Sequence, residues 1–190
     1  MDFPVQIQNV LSTRSWCLLQ NHIDNEPWFR NNSDYDPKLG LSWTHRDKQS
    51  PVYYDVGVTM SLRVRKYLKR KLKIVKIHVN GQTMGQMSNF HQDSCWDDVW
   101  TCVLFTSPSW NTNHGGEFTT YDPIQERYKS VSYIPNTAAL FPANWDHRGA
   151  PPLIPDAGMR TSLAVTFCAA EIEKEFLEAH PNLAGFANYG

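Results

Sequence analysis

Apolar positions recur at helical spacing early in the chain. Trp16, Leu19 and Ile23 fall on one side of a segment opening at Ser15, and Trp28 and Phe29 extend the series. Pro27 lacks an amide and crowds the preceding turn, so this helix is expected to end before Glu26. Residues 31–51 hold Asn31, Asn32, Asp34, Asp36, Pro37, Gly40 and Pro51. That composition predicts a long loop, either a lid facing substrate or a surface wrap without a role. From Thr59 to Leu72 the helical period returns, with Met60, Val64, Tyr67, Leu68 and Leu72 on one face. Arg63, Lys66, Lys69 and Arg70 fall elsewhere and read as a solvated surface. The period then drops to two over residues 73–79. Ile74, Lys76 and His78 share one side of a strand, and Val75, Ile77 and Val79 the other.

Short strand patterns follow at residues 99–107, 116–122, 127–134 and 138–142, around His147, and at 161–168. Gly, Pro and Asn punctuate them, which predicts an antiparallel sandwich or barrel. The tail from Ala169 to His180 reads as a helix stopped by Pro181, with Ile172, Phe176 and Ala179 inward. No internal repeat is present, and residues 1–190 are expected to form one domain with a helical side layer.

Composition narrows the function classes. The chain has 18 basic and 19 acidic residues, a formal charge of -1, which argues against a nucleic-acid surface. Apolar runs are too short to span a membrane. The opening MDFPVQIQNV has no basic segment followed by an apolar one, so a cytoplasmic location is expected. Cys17, Cys95, Cys102 and Cys168 lack zinc-site spacing and are expected to be reduced thiols. Aromatics make up 13% of the chain, a load suited to packed sheets or an aromatic-walled pocket.

One segment carries candidate metal chemistry. His91 and Asp93 are separated by one residue, so in an extended chain they point the same way, about 6.6 Å apart. An imidazole and a hard carboxylate oxygen suit ferrous iron, and a third imidazole would complete a facial triad with open positions. His147, fifty-six residues later, is the candidate. Arg160 and Ser162 then share a strand face, with Leu163, Val165 and Phe167 on the other. A guanidinium in such apolar company needs an anionic partner, and a bidentate grip on a carboxylate, helped by the Ser162 hydroxyl, is the natural one.

These residues, taken in order, resemble the 2-oxoglutarate and Fe(II)-dependent dioxygenases, in particular the prolyl-4-hydroxylase-like branch. The resemblance rests on His91-x-Asp93, Gly115-Gly116-Glu117-Phe118, Phe141-Pro142, His147-Arg148-Gly149, Arg160-x-Ser162 and the upstream segment from Asn80 to Gly85. It covers residues 74–168. It implies a mainly β double-stranded β-helix, a jelly roll of the cupin-like kind, with flanking helices. It also implies that His91, Asp93 and His147 bind Fe(II), and that Arg160, with Ser162, holds the distal carboxylate of 2-oxoglutarate. The activity implied is hydroxylation of an unactivated C–H with release of succinate and CO2, and the presence of Asp93 favours hydroxylation over halogenation. The partners implied are O2, 2-oxoglutarate and a small-molecule or peptidyl acceptor such as peptidyl proline, a free amino acid or a small metabolite. The branch commonly has a cosubstrate-contacting Tyr upstream of the first His. Here that neighbourhood is Asn80-Gly81-Gln82, so Asn80 or Gln82 substitutes, or Arg160 holds the cosubstrate by itself. Gln82, Met84, Gln92, Trp110, Trp145 and Arg148 are the candidate substrate contacts.

Two other classes fit the strand pattern. One is a metal-free jelly-roll binding module, which needs no convergent triad. The other is a different cupin-like mononuclear metal enzyme, which would carry more metal-binding histidines and lack the Arg160-x-Ser162 pair.

Overall fold

A computed structural model describes residues 1–31, 42–45 and 50–183. Its helices are α1 (Thr13–Asn25), α2 (Pro51–Leu68) and α3 (Glu173–Ala179). Its strands are β1 (Val5–Ile7), β2 (Trp28–Asn31), β3 (Ser42–His45), β4 (Leu72–Gln82), β5 (Val99–Phe105), β6 (Phe118–Asp122), β7 (Arg127–Val131), β8 (Ala138–Pro142), β9 (His147–Gly149) and β10 (Arg160–Ala169). A seven-stranded sheet runs β1-β8-β5-β10-β4-β3-β2, and a three-stranded sheet runs β7-β6-β9. Every paired strand is antiparallel.

The alternation in β10 decides what the large sheet does. Leu163, Val165 and Phe167 face away from the small sheet, into a core with Leu19, Ile23, Tyr53, Met60 and Val64 of α1 and α2. Arg160, Ser162, Ala164 and Thr166 face the opposite way and line a cavity. From Lys76 onward β4 does the same, with Ile77 and Val79 in the helix-side core and Lys76, His78, Asn80 and Gln82 on the cavity, while a register shift opposite Thr166 and Phe167 puts Ile74 on the helix side and not with Lys76 and His78 as expected. A second core of Val103, Phe105, Phe118, Tyr133, Ala139 and Phe141 joins strands of the two sheets. The strands thus separate an apolar layer under the helices from a polar chamber.

Helix boundaries follow local chemistry. The Ser12 hydroxyl accepts the Ser15 amide at 3.2 Å and caps α1, which ends before Glu26 as expected. Trp28 and Phe29 do not continue that helix and instead enter β2. The second helix begins at Pro51, eight residues before Thr59, with proline in its first turn where the missing amide costs nothing. It stops at Leu68, with Lys69 in the left-handed region, so Leu72 opens β4 and is not helical. Gly57 lets α2 approach the sheet: a Cβ there would sit 3.1 Å from Ile74 Cδ1. The strand expected at 127–134 stops at Val131, and in the tail helix Ala179 is exposed while Phe176 is buried.

Most of the loop expected at 31–51 lies outside the described residues, but Ser42–His45 is strand β3, paired with β2 and β4. The four cysteines are free, with Cys17 and Cys95 exposed and Cys102 and Cys168 buried. Burial pushes the Cys102 thiol well up and that of Cys168 to about 11, which suits inert core thiols. Among the described residues no helix is long and apolar enough to cross a membrane.

Candidate metal and cosubstrate site

His147 opens β9, and the segment carrying His91 lies beside it. The His91 amide donates to the His147 carbonyl at 3.1 Å, and the His147 amide donates back to His91 at 2.9 Å. This reciprocal bridge places the two imidazole rings 4.4 Å apart. Asp93 is anchored by its own amide, which donates to the Ala143 carbonyl at 2.9 Å. Ligand atoms of His91, Asp93 and His147 consequently lie within 4.8 Å of one another.

The surroundings fix how these groups present themselves. Nδ1 of His91 donates to the Asn89 carbonyl and Nδ1 of His147 to the Trp145 carbonyl, each at 3.0 Å. Each ring is thereby held with Nε2 as the remaining lone-pair nitrogen. The Thr101 hydroxyl donates to Asp93 Oδ2 at 2.7 Å, and His147 Nε2 lies 3.5 Å from the same oxygen. Burial acts to raise the Asp93 carboxyl, yet His147, the Thr101 hydroxyl and Lys76 together hold it below its ordinary value. Burial lowers the His147 imidazole against the opposing pull of Asp93. A carboxylate and neutral imidazoles are the protonation states a divalent cation requires, and two nitrogens with one oxygen fit ferrous iron.

The cavity, about 310 Å³, extends from this triad to Arg160. Arg160 is 2% exposed and is gripped on several sides. Its Nε donates to the Gly116 carbonyl at 2.8 Å, and Nη1 donates to Gln82 Oε1 at 3.1 Å. The guanidinium carbon stands 4.9 Å from the centre of the Tyr133 ring. Gly116 has a φ of +86°, which a side chain would strain, so glycine here turns the carbonyl toward Arg160. Gly149 leaves the room the guanidinium occupies: a Cβ there would lie 3.0 Å from Nη1. Gln82 is itself fixed, donating to the Gly149 carbonyl at 3.2 Å and to the Gln86 carbonyl at 3.1 Å.

The cavity gathers His91, Asp93, His147, Arg160, Ser162, Asn80, Gln82 and Gln92 from the sequence candidates. Asn80 and Ser162 are register partners across β4 and β10. The remaining candidates stand behind or beside the lining. Trp110 donates its indole N–H to the Gly115 carbonyl at 2.9 Å and packs against Tyr133. Trp145 is buried against Phe3. Arg148 stacks 4.5 Å over Phe90, and Met84 is exposed. Sequence reasoning passed over Thr101, Lys76, His78 and Ser42. The strand period already put Lys76 and His78 on one face; the signal for Thr101 exists only once β5 lies beside Asp93.

The chain matches the family model of the 2OG-Fe(II) oxygenase superfamily over residues 75–167. No curated protein matches it in sequence. Solved structures share its architecture. The α-ketoglutarate-dependent epimerase SnoN of nogalamycin biosynthesis aligns over 89% of this chain and 79% of its own, with 13% identity and a TM-score of 0.69. HygX from Streptomyces hygroscopicus, solved with nickel, 2-oxoglutarate and hygromycin B, aligns over 87% and 82%, with 10% identity and a TM-score of 0.67. A prolyl-4-hydroxylase from Pseudomonas putida aligns over 87% and 91%, with 13% identity and a TM-score of 0.62. At such identities the likeness establishes the fold, a double-stranded β-helix with flanking helices. The family match spans the segment that carries His91 and Asp93 and the strands that carry His147 and Arg160, so the residues of the site lie in the part of the chain that is similar to the 2OG-Fe(II) oxygenase superfamily, enzymes that depend on ferrous iron and 2-oxoglutarate.

Proposed function

We propose that this protein hydroxylates an unactivated C–H bond of a small-molecule or peptidyl acceptor, consuming 2-oxoglutarate and O2 and releasing succinate and CO2. The observation that carries this reading is one cavity with a His-Asp-His cluster at one part and a buried, oriented guanidinium at another. His91 and His147 would hold the iron through Nε2, and Asp93 through its carboxylate. Ferrous iron with 2-oxoglutarate and O2 supplies the oxidising chemistry when bound. The chain's contribution is placement. The Gly116 carbonyl and Gln82 aim Arg160, whose fork takes the distal carboxylate of 2-oxoglutarate, with the Ser162 hydroxyl as a further donor. Asn80-Gly81-Gln82 is the neighbourhood where the resemblance would put the branch's cosubstrate-contacting Tyr. Gln82 is engaged with Arg160, which leaves Asn80, across from Ser162, to face the cosubstrate. Thr101 keeps Asp93 turned toward the two imidazoles.

The test is an anaerobic preparation supplied with Fe(II), 2-oxoglutarate and an acceptor library, then exposed to O2. One product heavier by one oxygen, with an equivalent of succinate, is expected, and Ala at His91, Asp93 or His147 should abolish both. Full turnover in those three variants would reject the triad. An acceptor returned at unchanged mass while succinate accumulates would replace hydroxylation with another outcome of the same chemistry.

A further inference from the structure

The cavity holds a second cation with no assigned role. Lys76 of β4 lines it, directly across from Thr166 of β10. Thr166 pairs on its other side with Thr101, the residue that holds Asp93. Lys76 is therefore at the metal end, six residues along β4 from Gln82, which holds Arg160 of β10. It is half-buried, and among the described residues it makes no ion pair or side-chain hydrogen bond, although its charge acts on Asp93. Asp93 is the one acidic residue among the described residues of the lining.

The following rests on the function proposed above. With its cofactors in place the charges in the cavity match, apart from Lys76. The ferrous ion and Arg160 are balanced by Asp93 and the two carboxylates of 2-oxoglutarate. A lysine ammonium left over beside a reacting centre, half-buried in a cleft, attracts an anion. We infer that the acceptor carries an anionic group, a carboxylate in the simplest case, and that Lys76 anchors it next to the metal. Arg160 and Lys76 would then divide the work, one cation for the cosubstrate and one for the acceptor.

The experiment uses Lys76→Met, which keeps the length of the side chain and removes its charge. The probes are N-acetyl amino acids and N-acetyl dipeptides, each supplied as the free acid and as the C-terminal amide. Succinate release above the acceptor-free rate is measured for both proteins. Calorimetry of 2-oxoglutarate with Mn(II)-loaded protein runs alongside. The expected result is a preference for acid over amide of at least about tenfold in kcat/KM, lost in Lys76→Met. The Kd of 2-oxoglutarate should stay within about twofold. Equal response to acid and amide in the unmodified protein, an absent response to both included, would overturn the inference. So would a Lys76→Met protein that keeps the acid preference. A tenfold weaker Kd for 2-oxoglutarate in that variant would assign Lys76 to the cosubstrate and overturn it too. A protein that binds neither Mn(II) nor 2-oxoglutarate would instead remove the proposed function, a result the calorimetry gives before any acceptor is added.

Discussion

Arg160 illustrates what one side chain needs from its neighbours. Its partners come from residues 44 and 78 positions away, the Gly116 carbonyl and Gln82. Replacing it with Ala removes a buried cation from its proposed carboxylate, a loss of about 2–5 kcal/mol. Arg160→Ala is expected to raise the KM for 2-oxoglutarate by at least about tenfold, read from succinate formation, with metal affinity in the absence of cosubstrate unchanged. Arg160→Lys keeps the charge but not the fork and should also bind poorly. The sequence led to the expectation of an anionic partner, since an Arg in an apolar strand is costly alone, and the partners the fold itself supplies are neutral. The role of Gln82 as the holder of that Arg was not legible there, because it depends on β4 and β10 being neighbours. His45 makes a different point about a single residue. It is buried, with Nδ1 hydrogen-bonded to the Tyr53 hydroxyl, while Nε2 has no hydrogen-bond partner among the described residues. Burial, and then the nearby His22, lower its imidazole from 6.5 to about 4. Between those values the unfolded chain binds a proton that the native state refuses, so stability falls as pH drops from 6.5 toward 4. Thermal melts at pH 7 and pH 5 should show that loss, and His45→Gln should show a smaller one. An equal acid loss in both proteins would remove His45 as its source.

Elements were legible where one face met apolar neighbours and the other met something polar. β10 is the clearest case. Its alternation alone put Arg160 and Ser162 on one side and Leu163, Val165 and Phe167 on the other, and the two layers of the protein use that division. β1 and β2 escaped because three or four residues cannot establish a period, and they are strands through pairing with β8 and β3. The first two turns of α2 escaped for another reason. Val52, Val56 and Val58 are β-branched and Gly57 is flexible, so local propensity opposes the helix, while packing on β4 and β10 favours it. That contact gives a prediction at the level of the element. A side chain at Gly57 meets Ile74 Cδ1 at 3.1 Å and Ile77 Cδ1 at 3.4 Å. Gly57→Leu is expected to cost about 1–3 kcal/mol by overpacking, measured by urea unfolding. Mn(II) affinity of the folded variant should be unaltered, since α2 packs on the face of the sheet opposite the cavity. A variant as stable as the parent would mean that the helix rides higher on the sheet.

At the scale of the whole molecule the metal cluster is a bridge between distant parts of the chain. His91 and Asp93 sit in a segment without regular strand structure, held to β9 by the His91–His147 pair of amide bonds and to the residues after β8 by the Ala143 carbonyl. His147 arrives only after β5, β6, β7 and β8 have been laid down. A cation bound by these three side chains therefore joins the β4–β5 connection to strand β9 of the small sheet in the native state and finds no such site in the unfolded chain. Mass action converts that difference into stability, about 2.7 kcal/mol when the free metal is at a hundred times its Kd. For a chain of 190 residues this is a rise in Tm of about 5–10 °C. Mn(II), which stands in for Fe(II) without oxidising, should produce this rise, and a chelator should reverse it. 2-Oxoglutarate added to the Mn(II)-loaded protein should raise Tm again, whereas added alone it should do little, because its keto-acid end needs the metal. The two increments separate the two halves of the site. Asp93→Ala should lose both, since neither ligand set is then complete. Arg160→Ala should keep the first and lose most of the second. If Mn(II) stabilises Asp93→Ala as much as the parent, the ion binds elsewhere and the triad is not the metal site.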